Sequence, residues 1–204
     1  ITMAPARAEP VLRHALAMGA DDAVHVHDSC FAGSDSLITA RILSAAISKL
    51  PPQDLVICGQ RAIDSETGHI PPQLAALLEI PVITNVLSIL EEEEDHIKVV
   101  RLQDDGQVEI TCPRGVVLSM CCGTEMIRIP KIKDVQNARK KTILHLDRKQ
   151  LAVGENEAGI AGSPTRVIQV TQICYPNRHG QGTDDLSEGA SVILNTIRKY
   201  ENYE

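Results

Sequence analysis

A short apolar run, Leu55 to Cys58, leads through a polar loop of about a dozen residues into Pro71-Pro72 and the helically spaced Leu74, Leu77 and Leu78. This stretch constrains the chain more than any other. The run has the length of a buried strand, and proline suits the first turn of a helix, where an N–H would have no partner. The order strand, long loop, helix N-terminus is that of an open α/β sheet, whose ligands bind at the carboxyl ends of parallel strands. The loop is neither a G-x-G-x-x-G nor a Walker sequence, and it lacks a lysine for distal phosphates. On spacing alone it is equally an ordinary surface loop and an anion site at a helix N-terminus.

The upstream sequence repeats the same grammar. Ile1–Met3 reads as the end of a strand, and Ala4-Pro5 opens a helix with Val11, Leu12, Ala15 and Leu16 on one face and Gly19 as its stop. Ala23–Val26 reads as a strand containing His25 and, just beyond it, His27, both taken as core or solvent-side filler. Ser34 or Asp35 caps a helix whose buried stripe is Leu37, Ala40, Leu43, Ile47 and Leu50. Alternation of β and α predicts a parallel sheet with helices on its faces, a three-layer α/β/α architecture of Rossmann-like type. A chain entering at a βα junction is expected to be preceded by further sequence.

After Pro81 the pattern changes. Val82–Leu90, Ile97–Leu102, Val108–Thr111 and Val116–Met120 read as strands, with an acidic turn at 91–95 and an Asp104-Asp105-Gly106 hairpin. They form an antiparallel extension of the sheet. From Gly123 the core pattern stops. Ile127, Ile129 and Ile132 stand in a polar, proline-containing loop, which suggests a partner surface, and a short helix over 133–141 ends in basic residues. Residues 147–166 read as an extended arm, Val167–Ile173 as a strand-like run and Asn177–Gly182 as a turn. Leu186–Tyr200 reads as an amphipathic helix with Ile193, Leu194 and Ile197 inward. The expected organisation is a nucleotide-binding α/β domain at 1–122, a recognition loop and basic helix at 123–146, and a C-terminal arm at 147–204 that packs on a partner subunit.

Composition excludes several functions. A net charge of −7 over 204 residues argues against a nucleic-acid partner. No apolar run reaches the ~20 residues of a membrane span. Six cysteines at scattered spacing, with no C-x-x-C, read as small hydrophobes of a reducing cytoplasm, not as a disulfide frame or metal site. No Ser/His/Asp or Cys/His set stands at workable spacing, so the residues offer no bond-making centre.

Three stretches together resemble the β subunit of electron-transfer flavoproteins: A-P-A-R-A-E-P-V-L-R-H-A-L-A-M-G-A-D, the loop G-Q-R-A-I-D-S-E-T-G-H-I-P-P, and R-I-P-K-I-K-D-V-Q-N-A-R-K-K. F-A-G-S-D at 31–35 and A-G-S-P-T at 161–165 are similar to members associated with electron bifurcation. The resemblance implies an adenine-nucleotide α-hydrolase-like fold and a heterodimer with an α subunit that holds most of the contacts to a FAD. It also implies AMP or a second FAD in this subunit, and redox partners such as acyl-CoA dehydrogenases. Carried over by position, the nucleotide contacts Met3, Ala4 and the loop Gly59, Gln60, Arg61, Ala62, Ile63, Asp64, Ser65, Glu66, Thr67, Gly68, His69 and Ile70. Its phosphate sits over the helix that follows. Partner docking falls to Ile127, Ile129, Ile132 and Val135. Glu66 stands where the family has Asp, and Pro71 where it has Gly. The competing class is a stand-alone nucleotide sensor of the universal-stress type. An adenylating enzyme would need an S-G-G-x-D-S-type loop, which is absent.

Overall fold

A computed structural model describes residues 1–63, 65–121, 123, 127–172 and 182–201. The chain divides into two compact units, Ile1–Arg166 and Val167–Glu204.

In the first unit, β1 (Thr2–Met3) leads through one turn of 3-10 helix at Ala6–Ala8 into α1 (Glu9–Met18). Gly19, at a φ of 118°, stops α1. This left-handed conformation is one that glycine adopts without a Cβ penalty. The buried face of α1 is Leu12, Leu16 and Ala17, joined by Ala23, Ala138 and Ile143. Val11 and Ala15, expected on that face, point outward, with Val11 66% exposed. One residue is a rotation of about 100°, and α1 is covered on one side only.

β2 (Val24–Val26) and α2 (Ser36–Ile47) follow. Asp35 caps α2, its carboxylate accepting the Ile38 N–H at 3.0 Å. The fully buried stripe is Ile38, Ile42 and Ala46, packed with Val24, Val26 and Phe31. Of the expected stripe, Ala40 is fully buried, whereas Leu37, Leu43, Ile47 and Leu50 are only half-buried. α2 is shaded on more than one side because it also packs against α3 (Ile70–Leu78).

β3 (Leu55–Gly59) precedes α3, and β4 (Val82–Glu92), β5 (His96–Gln103), β6 (Gly106–Pro113) and β7 (Val116–Met120) follow it. α4 (Ile132–Lys140) and β8 (Leu144–Leu146) come next. The strands form two hydrogen-bonded sheets, a three-stranded parallel one in the order β1-β2-β8 and a five-stranded one in the order β3-β7-β4-β5-β6. In the second, β3, β7 and β4 are parallel, and β4-β5-β6 is an antiparallel meander. The α/β class with an antiparallel extension is as the sequence implies, but its parallel strands are shared between two ladders. β8, the Ile143–Leu146 alternation, is a strand the sequence reading omits.

Residues 147–166, read as an extended arm, fold back on the first unit. A turn buries Leu151, a 3-10 turn spans Glu155–Glu157, and α5 (Gly159–Gly162) follows a buried Ala158. In the second unit, residues 167–172 adopt no regular structure, so the strand expected from Val167 does not form there. Ile173 and residues 177–181 of the predicted turn lie outside the described residues. α6 (Leu186–Glu201) is the terminal helix. Ile193, Leu194 and Ile197, expected inward, are all exposed. Among the described residues no helix is long and apolar enough to cross a membrane.

Candidate functional site

The predicted loop leaves the carboxyl end of β3, where β7 runs parallel beside it. Gly59 closes β3, and a Cβ built on it would meet nothing within 4 Å. An exposed glycine with open space over it is what a backbone needs for a ligand to approach closely. Gln60 follows, its N–H donating to the Met120 carbonyl at 2.9 Å. Arg61, Ala62, Ile63, Ser65, Glu66, Thr67 and His69 are all exposed, and Ile63 is 96% so. Asp64 lies outside the described residues.

The loop has internal order despite this exposure. The Glu66 N–H donates to the Ala62 carbonyl at 2.9 Å, and Arg61 lies 3.9 Å from the Glu66 carboxylate. Both ends of that ion pair are in solvent, where such pairs contribute about 1 kcal/mol or less. Glu66 and Gly68 have φ values of 52° and 63°. Gly68 takes this geometry freely; Glu66 does so under mild strain.

The turn into α3 is less suited to an anion than the sequence suggests. Pro71 and Pro72 supply no N–H, the Gln73 N–H returns to the His69 carbonyl at 3.0 Å, and no side chain caps the helix. The donors left for a phosphate are those of the loop and of Ile70, not a full first helical turn.

Met3 and Ala4 stand at the carboxyl end of β1. Ala4 is held from both sides, its N–H donating to the Val26 carbonyl at 3.2 Å and its carbonyl lying 2.9 Å from His25 Nε2. Nε2 therefore carries the proton, and Nδ1 is buried without a partner among the described residues. The His25 ring lies 5.6 Å from that of His27 and 5.5 Å from that of His145. His25 is thus a buried, bonded residue that fixes Ala4, a role sequence reading missed. No cluster of metal-ligating side chains forms among the described residues.

A second locus gathers F-A-G-S-D and A-G-S-P-T, motifs far apart in sequence. Asp35 accepts from Thr165 N–H at 3.1 Å and Thr165 Oγ1 at 2.8 Å, while its own N–H donates to Ser163 Oγ at 2.9 Å. The Gly159 N–H donates to Ser34 Oγ at 3.1 Å. Burial alone would raise the Asp35 carboxyl, but the donors at Ile38, Thr165 and Leu37 outweigh it and hold the carboxyl below its ordinary value.

The predicted docking residues are all on the surface. Ile127, Ile129 and Ile132 are largely exposed, Ile129 by 86%, and Val135 is partly so. Residues 127–131 have no regular structure, and α4 begins at Ile132, with Asp134 accepting the Lys131 N–H at 3.1 Å. The other side of α4 is fixed to α1. Arg13 donates to the carbonyls of Ala138 and Lys141, and Lys141 Nζ donates to those of Ala20 and Asp21, both at 2.8 Å.

The two parallel ladders with packed helices, and a loop open at a strand's carboxyl end, define a chain of the α/β class. The sequence profile of the electron transfer flavoprotein domain matches residues 1–151. The chain belongs to the electron transfer flavoprotein family. It is 43% identical to an electron transfer flavoprotein subunit β of Thermoanaerobacterium thermosaccharolyticum over 97% of this chain and 75% of that one. It is 34% identical to a subunit β of Megasphaera elsdenii over 88% and 68% of the two chains. An acryloyl-CoA reductase electron transfer subunit gamma of Anaerotignum propionicum is also 34% identical, over 83% and 66%. Membership in the family implies electron transport in association with a flavin, and the stand-alone sensor reading is not favoured.

Proposed function

We propose that this chain is the β subunit of a heterodimeric electron-transfer flavoprotein, holding an adenine nucleotide over the 59–70 loop while a FAD is bound mainly by the α subunit. The flavin supplies the redox chemistry. This chain's residues bind, orient and dock. The observation that carries the nucleotide reading is Gly59, open above its Cα at the carboxyl end of a parallel strand and followed by a loop whose polar side chains face solvent. Loop N–H groups and Ile70 would meet the phosphate, and Met3-Ala4, steadied by His25, would border the nucleoside. Ile127, Ile129, Ile132 and Val135 form the contact for a flavoprotein redox partner of acyl-CoA dehydrogenase type. The resemblance of F-A-G-S-D at 31–35 and A-G-S-P-T at 161–165 to bifurcating members favours a second FAD in place of AMP.

The test is to co-express the full-length protein with the flavoprotein subunit encoded beside it, purify the complex, denature it and quantify released nucleotides. Two FAD and no AMP per complex support the bifurcating form. One FAD with one AMP supports the simple carrier. A complex that releases no nucleotide beyond the partner's FAD would sink the reading of the 59–70 loop, and failure to form any complex would sink the subunit assignment.

A further inference from the structure

β4 contains a conformation that a strand has no ordinary use for. Asn85, within Val82–Glu92, has a φ of 59°. Pairing with β7 slips between Ile83 and Val86, and pairing with β5 slips between Val86 and Ser88, so the distortion interrupts both neighbouring ladders. Left-handed residues inside strands persist only where their surroundings hold them, and they cluster at binding sites. The Asn85 Oδ1 accepts the side-chain N–H of Gln60 at 3.0 Å, a bond across 25 residues of sequence.

Gln60 is where the loop leaves β3. Its backbone N–H is fixed to Met120, and its carbonyl lies 3.3 Å from where a Cβ on Gly68 would stand. One residue therefore touches β7, β4 and the far end of the loop. Beside the kink, Thr84 Oγ1 accepts from Arg101 at 3.4 Å, and Arg101 Nε is buried with no partner among the described residues.

We infer that Asn85 is a positioning residue for the 59–70 loop: the kink of β4 aims its carboxamide at Gln60 and so fixes the loop's departure from β3. The inference deepens the nucleotide reading of that loop and rests on it for its functional consequence. Asn85→Gly tolerates the same backbone angle and removes the side chain that carries the acceptor. Asn85→Asp keeps an acceptor and tolerates the angle.

The experiment compares these variants in the full-length protein with its partner subunit. It reads amide hydrogen exchange across residues 61–63 and 65–69, and titrates AMP and FAD separately. Loss of one hydrogen bond predicts faster exchange in Asn85→Gly and about fivefold weaker nucleotide binding, both restored by Asn85→Asp. Combined with Gln60→Ala, Asn85→Gly should add nothing further, since both act on one bond. Unchanged exchange in Asn85→Gly, or additive effects in the double variant, overturns the inference. If exchange responds as expected while the unmodified complex binds neither AMP nor FAD, the positioning role stands and the nucleotide reading falls.

Discussion

Two glycine-bearing regions of this molecule behave in opposite ways. At the clasp between residues 31–35 and 158–165, every glycine is hemmed in by protein. A Cβ on Gly159 would lie 2.2 Å from the Cys30 carbonyl oxygen, one on Gly162 would lie 2.3 Å from the Glu157 backbone, and one on Gly33 would strike the Ile160 side chain at 2.4 Å. At the loop after β3, a Cβ on Gly59 meets nothing. Both regions resemble family motifs as strings of letters, yet one has its space filled and the other leaves it open. Glycine in the clasp serves packing between two chain segments; glycine in the loop leaves room for something outside the chain.

Substitutions can break this contrast. Gly159→Ala meets a backbone oxygen at a φ of 58°, so neither the new methyl nor its neighbour can give way. We expect a loss of about 3 kcal/mol or more, read as a drop in the urea midpoint, with nucleotide binding by the folded fraction unchanged. A cost below about 1 kcal/mol would mean the clasp is looser than its geometry.

Asp35→Ala removes the cap of α2 and the bonds to Thr165, at about 1–2 kcal/mol. Because the folded carboxyl lies below its ordinary 3.8, this contribution is complete above that value and is lost as pH falls through the lower folded value. The stability difference between Asp35→Ala and the unmodified protein should therefore hold at neutral pH and shrink on strong acidification. A difference that grows with acid would contradict the assigned bonds.

Gly59→Ala should do the reverse of Gly159→Ala. Stability stays within about 0.5 kcal/mol, while AMP or FAD binding weakens about tenfold in a titration of the complex. Equal binding would close the case for the loop as a nucleotide site. The smallest structural effect belongs to Ile132→Lys, on a side chain already in solvent. Thermal unfolding should not move, and electron transfer to a flavoprotein partner should slow through a higher KM.

Much of this was legible from the sequence, and the failures share a cause. The strand at Leu55–Cys58, the hairpin at Asp104-Asp105-Gly106 and the exposed Ile127–Ile132 loop all follow from local pattern, but the expected burial of Leu55–Cys58 does not hold: β3 is an edge strand with Ile57 58% exposed. The buried faces of α1 and α2 did so only in part: Leu12, Leu16 and Ala40 are buried as expected, but which other aliphatic residue is covered depends on the neighbouring helix and not on spacing alone. The segment 147–166 looked like a linker because its attachment is made through backbone atoms, hydroxyls and glycines, which carry no hydrophobic signal. Asn85 was passed over and His25 read as filler for the same reason: one polar residue within an apolar run declares its purpose only when its distant partner is known. An asparagine inside I-T-N-V-L was the available clue.

The reciprocal cation contacts of α1 and α4 carry a kinetic consequence. Each helix end receives a cation from the other, Arg13 on the last carbonyls of α4 and Lys141 on the carbonyls just past α1. The helix that presents Ile132 and Val135 is thereby latched against rolling. A visiting protein meeting this ridge has little ordering of α4 to accomplish, so a small apolar contact suffices for recognition. Small contacts also let go quickly, which would suit the partner docking proposed for this surface.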